Sequence, residues 1–481
     1  MNIDTKKTKI VATIGPASED VSVLKNMIES GMNVARFNFS HGEHEWHKRV
    51  MKNVRKVSRQ LNIPIAIIAD LQGPRVRILV EEDVKIEKGE VIRVFDVQTI
   101  AKEKAIDKSE RKIITLDCPG ILKSLRVSDE ILIEDGIIKI KVIDVLDTHV
   151  IAEVINGDVI KNHKGVNIPD VEIPLPTLTE KDYRDLEFAL GENVDYIAMS
   201  FVRDAESLME ARNYMRKLVG QDCPIPKIIS KIEAKQAIKN LDEIIRTSDA
   251  IMVARGDLGI EVNPHRVSLL SKEIIKKSLK YLRPVIMATQ MLASMEKNAR
   301  PTRAEIADVT NAVVDHVDAV MLSAEASVGD YPIESVGTMA EIAMETERST
   351  YDDIDLFSPI GFVSDEVKIA QSTYLFAKEM EAKTIVLFSE SGYTARLLSH
   401  FRPDFLTLVA TNNEKTYRQM SLVWGVRSFL YEIIDSRGEI IDKLIAESKN
   451  SGLLIKNDLA VTILGSTKSG KKLKLTGSRI V

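Results

Sequence analysis

Eight short apolar runs, most with a polar or charged residue at or just past the C-terminal end, punctuate residues 9–323 of this 481-residue chain. They are KIVATIG from Lys9, NVARFNFS from Asn33, IPIAIIADLQ from Ile63, VDYIAMSF from Val194, PKIISKIE from Pro226, AIMVA from Ala250, PVIMATQ from Pro284 and DAVMLS from Asp318. Runs of this length predict strands buried on both faces, and all but one is followed directly by a helical pattern. Ser18-Glu-Asp before VSVLKNMIESG marks a helix start closed by Gly31, and Thr179 opens a capping box before EKDYRDLEFALGEN. The tally is that of a (β/α)8 TIM barrel.

The run ending at Gln72 has no helix directly after it. Residues 73–170 instead alternate, as in IIKIKVIDVLD, with turn signals at Lys88-Gly89 and Asp135-Gly136, which predicts an inserted β-barrel-like domain. Residues 1–72 and 171–331 then make the catalytic barrel. From residue 332 to 481 strands such as KTIVLFS and FLTLVAT alternate with helices but are too few to close, so an open α/β domain is expected there.

The chemistry gathers at strand ends. Lys231 and Glu233 stand two positions apart, so alternating side chains put an ammonium and a carboxylate on one face. The next run breaks into Arg255, Gly256 and Asp257. A carboxylate from each of two adjacent strands can hold a divalent ion, Lys231 adds a point charge, and Gly256 lets a ligand approach the backbone. Arg36, Asn38, Ser40, Asp70, Thr289, Ser323 and Glu325 also fall at or just past strand C-termini, where barrels keep their active sites. The set describes a site for an anion, phosphate above all. A lone Lys-x-Glu is more often a solvated pair, but IISKIE is mostly apolar, which draws this pair inward.

Charge decides how such an anion is met. With 66 basic against 71 acidic residues and a net charge of −5, nothing attracts nucleic acid globally, and a phosphate must be bound locally. Cys118 and Cys223 have no metal spacing and allow no disulfide framework, as expected in a reducing compartment. With no signal-like apolar start and no run of membrane-spanning length, the chain is expected in the cytoplasm, away from membranes.

ARFNFSHG at Ala35–Gly42, SKIE at Ser230–Glu233, IMVARGDLGIE at Ile251–Glu261, MATQMLASM at Met287–Met295 and RPTRAEIADVTNAV from Arg300 resemble pyruvate kinase, in family order over nearly the whole chain. The resemblance implies transfer of the phosphoryl group of phosphoenolpyruvate to ADP, giving pyruvate and ATP in glycolysis. It implies that Glu233 and Asp257 hold Mg2+ or Mn2+, that Lys231 neutralises the transferring group and that Arg36 clamps its phosphoryl end. The amides of Gly256 and Asp257 would take the substrate carboxylate with Thr289, and Thr289, Ser323 and Glu325 would relay a proton to the enolate. Asn38 and His41 on the barrel, with Arg77 and Lys164 on the inserted lid, match nucleotide contacts. A homotetramer and a phosphorylated allosteric effector, met by Ser389, Ser391, Gly392 and Thr394 in FSESGYTAR, also follow from the resemblance. Ordinary helix capping explains that last group about as well.

Two departures qualify the match. Potassium in many relatives is held by residues matching Asn38, Ser40, Asp70 and the carbonyl of Leu71, followed by Thr-Lys-Gly-Pro-Glu. Here the segment is Leu71-Gln72-Gly73-Pro74-Arg75, and Arg75 is expected to supply the charge of an ion the enzyme no longer requires. Asp170 replaces a Gly after VNIP. GSTKSGK at Gly465–Lys471 imitates a P-loop, but Lys472 stands where a Ser or Thr must meet magnesium. His41, His44 and His47 lack a fourth zinc ligand. Competing readings are a divalent-metal lyase or aldolase acting on pyruvate enolate, which needs no nucleotide lid, and a non-catalytic phosphometabolite sensor, which needs no Lys231.

Overall fold

The apolar runs become the staves of a closed parallel barrel: β1 Lys9–Thr13, β2 Val34–Asn38, β3 Ala66–Asp70, β4 Tyr196–Met199, β5 Lys227–Ile232, β6 Ala250–Ala254, β7 Val285–Ala288 and β8 Ala319–Leu322. The computed structural model describes residues 6–101, 111–169, 171, 173, 175–221, 223–352, 365–432, 437–464 and 474–480. Neighbouring strands pair in chain order, and β1 closes on β8 with Lys9 opposite Ala319. Small and large inward residues alternate, Ala66, Ala198 and Ala250 among Ile68, Ile229 and Met252, which fills the interior. Outward residues of the same strands pack under the helices.

Helix boundaries follow the capping chemistry. The Thr179 hydroxyl accepts from the Asp182 amide and the Asp182 carboxylate answers at Thr179, and Thr302 with Glu305 repeats the device. One boundary moves. Helix Pro332–Glu347, expected to open the C-terminal domain, buries Val336, Met339 and Ala340 in the barrel core and is the barrel's last helix. Its apolar stripe fits either core, and only contact decides.

The inserted segment forms a second closed barrel of seven strands, from Val76–Leu79 to Gly165–Asn167, around its own core of Ile78, Ile92, Ile114, Ile131, Ile140 and Val166. It is tied to the first barrel by Asn167 Nδ2 donating to Glu261 Oε1 at 2.9 Å, and by Arg203, whose guanidinium donates to the carbonyls of Ile173 and Leu175. The third unit is an open five-stranded sheet in the order Val426–Leu430, Leu406–Thr411, Thr384–Phe388, Leu459–Leu464 and Lys474–Ile480. Its first four strands are parallel and the last antiparallel, with separate apolar clusters that share strand residues from both faces. Leu422 from this domain joins the cluster inside the main barrel, closing its floor. Buried Asp195 accepts from Arg418 and Arg55 at 2.8 Å each, and buried Asp318 accepts from Arg402 at 2.9 Å, so carboxylates below the strands lock the two units together.

Candidate active site

At the opposite end of the staves, β5 delivers Lys231, and Glu233 follows one residue past its end. The Lys231 ammonium lies 2.9 Å from Glu233 Oε1 and 3.3 Å from Asp70 Oδ1, and donates to Ser200 Oγ at 2.7 Å. From β2, Arg36 Nε donates to Asp70 Oδ2 at 2.6 Å, and a second guanidinium nitrogen donates to Thr13 Oγ1 at 2.8 Å. Asp70 is fully buried and Glu233 is 1% exposed. Burial alone would raise the Asp70 carboxyl, but Lys231 and Arg36 outweigh it and hold the group below the usual range. Burial likewise opposes charge on Lys231, and Asp70 and Glu233 overcome it, so the ammonium stays protonated.

Glu233 differs from Asp70. Burial first, and then the negative charge of Asp257, push its carboxyl up despite Lys231 and the Phe201 amide, which donates to Oε2 at 2.8 Å. Glu233, buried just past the end of β5, thus feels the negative charge of Asp257, which stands in the first turn of helix Arg255–Glu261. That donor chemistry fits a divalent cation ligated by Glu233 and Asp257.

Asp257 shares a cleft of about 650 Å3 with Gly256, Thr289, Gln290 and, from the lid, Asp135. Thr289 and Gln290 have φ of 66° and 56°, and a left-handed β-branched residue is strained. Arg255 holds the turn by donating to the Thr289 carbonyl at 2.6 Å while pairing with Asp308. The Thr289 hydroxyl accepts from the Gly256 amide at 2.9 Å. That amide, expected to meet a substrate carboxylate, is therefore occupied, and the Thr289 hydroxyl keeps its own proton to donate.

Other expected residues fall into different company. The two oxygens of Glu325 accept from the amides of Ser323 at 2.7 Å and Leu292 at 3.2 Å. A buried carboxylate committed to main-chain donors holds a loop. Arg75 does not reach the Asp70 cluster but pairs with Asp135 at 2.6 Å within the lid. Asn38 accepts from the Ser40 amide, and the His41 carbonyl accepts from His47. Arg77 donates to the His163 carbonyl, and Lys164 pairs with Glu134. His44 pairs with Asp185 and stacks on Phe188, which leaves no zinc geometry among the three histidines. In the C-terminal domain Gly392, at φ 69°, caps helix Tyr393–His400, with the Ser391 hydroxyl accepting from the Tyr393 amide. Asp170 and Gly465–Lys471 lie outside the described residues.

Sequence reasoning missed Ser200, Thr13, Asp135 and the Phe201 amide. Ser200 and Thr13 end or follow their strands like the residues it found, and the strand-end rule would have caught both. The Phe201 amide carries no side-chain signal at all.

Residues 5–336 match the model of the pyruvate kinase barrel domain, and residues 367–473 that of the pyruvate kinase alpha/beta domain. The chain belongs to the pyruvate kinase family. It is 39% identical to the pyruvate kinase of Geobacillus stearothermophilus over 96% of this chain and 78% of that one. With the Sporosarcina psychrophila enzyme it shares 40% identity, over 92% of this chain and 74% of the relative. A crystal structure of a pyruvate kinase from Cryptosporidium parvum superposes with a TM-score of 0.90 at 32% identity, covering 99% of this chain and 97% of that one. The enzyme is a phosphotransferase that makes pyruvate and ATP from phosphoenolpyruvate and ADP, and the lyase and sensor readings fall away.

Proposed function

We propose the following parts in phosphoryl transfer from phosphoenolpyruvate to ADP. Lys231 neutralises the transferring group, and Arg36 clamps the phosphoryl end with a planar fork suited to phosphate oxygens. Thr289, whose oxygen accepts from the Gly256 amide, donates its hydroxyl proton toward the substrate carboxylate, helped by the backbone amide of Asp257. Glu233 and Asp257 would hold Mg2+ or Mn2+, which when bound offsets charge on phosphate and enolate oxygens. Phosphoryl transfer leaves little covalent work for a protein, so placing these charges constitutes most of the catalysis.

The observation that carries this reading is the buried cluster in which Lys231 meets both Glu233 and Asp70 while Arg36 meets Asp70. An uncharged substrate would leave that cluster without a purpose that justifies its desolvation. Protonation of the enolate falls to Thr289 and Ser323. Glu325, which holds the Ser323 amide, acts as a positioning residue.

ADP or ATP would bridge Asn38 and His41 on the barrel to Arg77 and Lys164 on the lid, whose approach excludes water as a competing acceptor. Potassium is not required in this proposal. Of its expected ligands Asn38, Ser40, Asp70 and Leu71, Asp70 is balanced by Arg36 and Lys231, and the Leu71 carbonyl accepts from Ser200 at 2.7 Å. Arg75 adds a fixed cation on the lid beside Asp135. A phosphorylated effector would meet Ser389, Ser391, Gly392 and Thr394. Exposed Leu269 and Ile306, on successive barrel helices, suit a homotetramer contact. No described helix is long and apolar enough to cross a membrane, and the site of action proposed is the cytoplasm.

The test is a coupled assay of pyruvate release from phosphoenolpyruvate, ADP and magnesium, run on the wild type and Lys231→Met. Wild-type turnover lost in the variant supports the assignment, and equal turnover removes it.

A further inference from the structure

Beside the catalytic cleft, a second cavity of about 380 Å3 lies between lid and barrel. That volume suits a small metabolite. Among the described residues four cationic side chains line it, Arg75, Arg203, Lys235 and Lys239, with the carboxylate of Glu261; Arg75 is paired with Asp135, so Arg203 and Lys239 offer the positive charge to a ligand. Arg203 donates to the carbonyls of Ile173 and Leu175, which are neutral partners and leave its charge in place. The lid contributes an apolar flank through Val171 and Leu175.

Asn167 supplies the more specific signal. It is 4% exposed, it lines this cavity, and its Nδ2 donates to Glu261. Its Oδ1 is buried and accepts no hydrogen bond among the described residues. A buried acceptor left unpaired costs stability, which a donor arriving in the cavity restores.

We infer that this cavity binds a small hydroxylated organic anion, a hydroxy acid or a sugar phosphate, with its anionic head beside Arg203 and Lys239 and a hydroxyl donating to Asn167 Oδ1. The site is separate from the substrate cleft and goes beyond the roles proposed above. Its walls come from both lid and barrel, so an occupant joins them. Phe201 lines the cavity, and its amide holds Glu233 Oε2 at 2.8 Å, which links occupancy to the site of phosphoryl transfer. If the anion favours the joined arrangement that nucleotide also favours, each tightens the other by the same factor.

The experiment is titration calorimetry on the full chain, saturated with magnesium and phosphoenolpyruvate in the absence of ADP. Glycerol 3-phosphate and 3-hydroxybutyrate serve as probes, and the one that binds identifies the head group as phosphate or carboxylate. Binding of at least one probe at one site per chain is expected, weakened about tenfold in Lys239→Glu, where the side chain is exposed and folding is not at stake. Asn167→Leu is expected to abolish the preference for the hydroxylated probe over its deoxy analogue, propyl phosphate or butyrate. Absence of heat with both probes in the phosphoenolpyruvate-saturated chain, or unchanged affinity in Lys239→Glu, would overturn the inference.

Discussion

The Lys231 ammonium lies 2.9 Å from the Glu233 carboxylate, a pair made by two residues of one strand edge and shared with Asp70 on the far side. The ammonium thus stands between the carboxylate proposed to ligate metal and the one that fixes Arg36. Its charge is held ready where a phosphoryl group would gain negative charge in flight. Lys231→Met is accordingly expected to lower kcat by about 10²–10³-fold with a much smaller change in KM for phosphoenolpyruvate. Steady-state kinetics at saturating magnesium measure both, and a rise in KM at constant kcat would assign Lys231 to ground-state binding.

The potassium prediction follows from Asp70, whose charge Arg36 and Lys231 already balance. Wild-type activity should persist when potassium is replaced by tetramethylammonium at equal ionic strength. Because Arg36 and Lys231, and not Arg75, balance Asp70, Arg75→Glu should leave that independence of potassium in place. A wild type that collapses without potassium contradicts the proposal.

At the barrel floor, burial, reinforced by Lys6, pulls Lys9 from its ordinary 10.5 down to about 7, and its Nζ donates to the Val426 carbonyl at 2.8 Å. Between these values the unfolded chain binds a proton that the folded chain does not. Stability contributed by this group therefore rises with pH, by at most about 1.4 kcal/mol per unit. Lys9→Met should remove that contribution. Urea midpoints from pH 7 to 10 are expected to climb more steeply for wild type than for the variant, and parallel curves would refute the assignment.

Asp195 carries a different load. Its buried carboxylate receives Arg418 from the C-terminal domain, Arg55 from a barrel helix and the Ile67 amide. Asp195→Ala strands both guanidinium groups and should cost about 3–5 kcal/mol, whereas an exposed pair such as Lys25–Glu29 should cost under about 1 kcal/mol. Denaturant unfolding of the two alanine variants compares them directly.

The barrel was legible because each stave is an apolar run with its polar residue at one end, a pattern that Lys231, Asp70 and Thr289 all obey. The pairing of Lys231 with Glu233 followed from the two-residue period of a strand. Its bond to Ser200 crosses 31 positions, and no local pattern registers such a contact. The left-handed backbone at Thr289 was also hidden, since a threonine there breaks the local preference and is held by Arg255 from the helix after the neighbouring strand. Glu325 shows the opposite case. Its position obeys the strand-end rule, yet main-chain amides that sequence cannot rank as partners claim both its oxygens. The helix Pro332–Glu347 moved to the barrel because an apolar stripe states that a face is buried without naming the core that buries it.

The metal assignment rests on Glu233 and Asp257 acting together, and electron paramagnetic resonance of Mn2+ in the presence of phosphoenolpyruvate tests it most directly. The expected result is one tightly held Mn2+ per chain in the wild type, with affinity falling at least about tenfold in both Glu233→Gln and Asp257→Asn. Wild-type Mn2+ affinity in either variant would contradict the account.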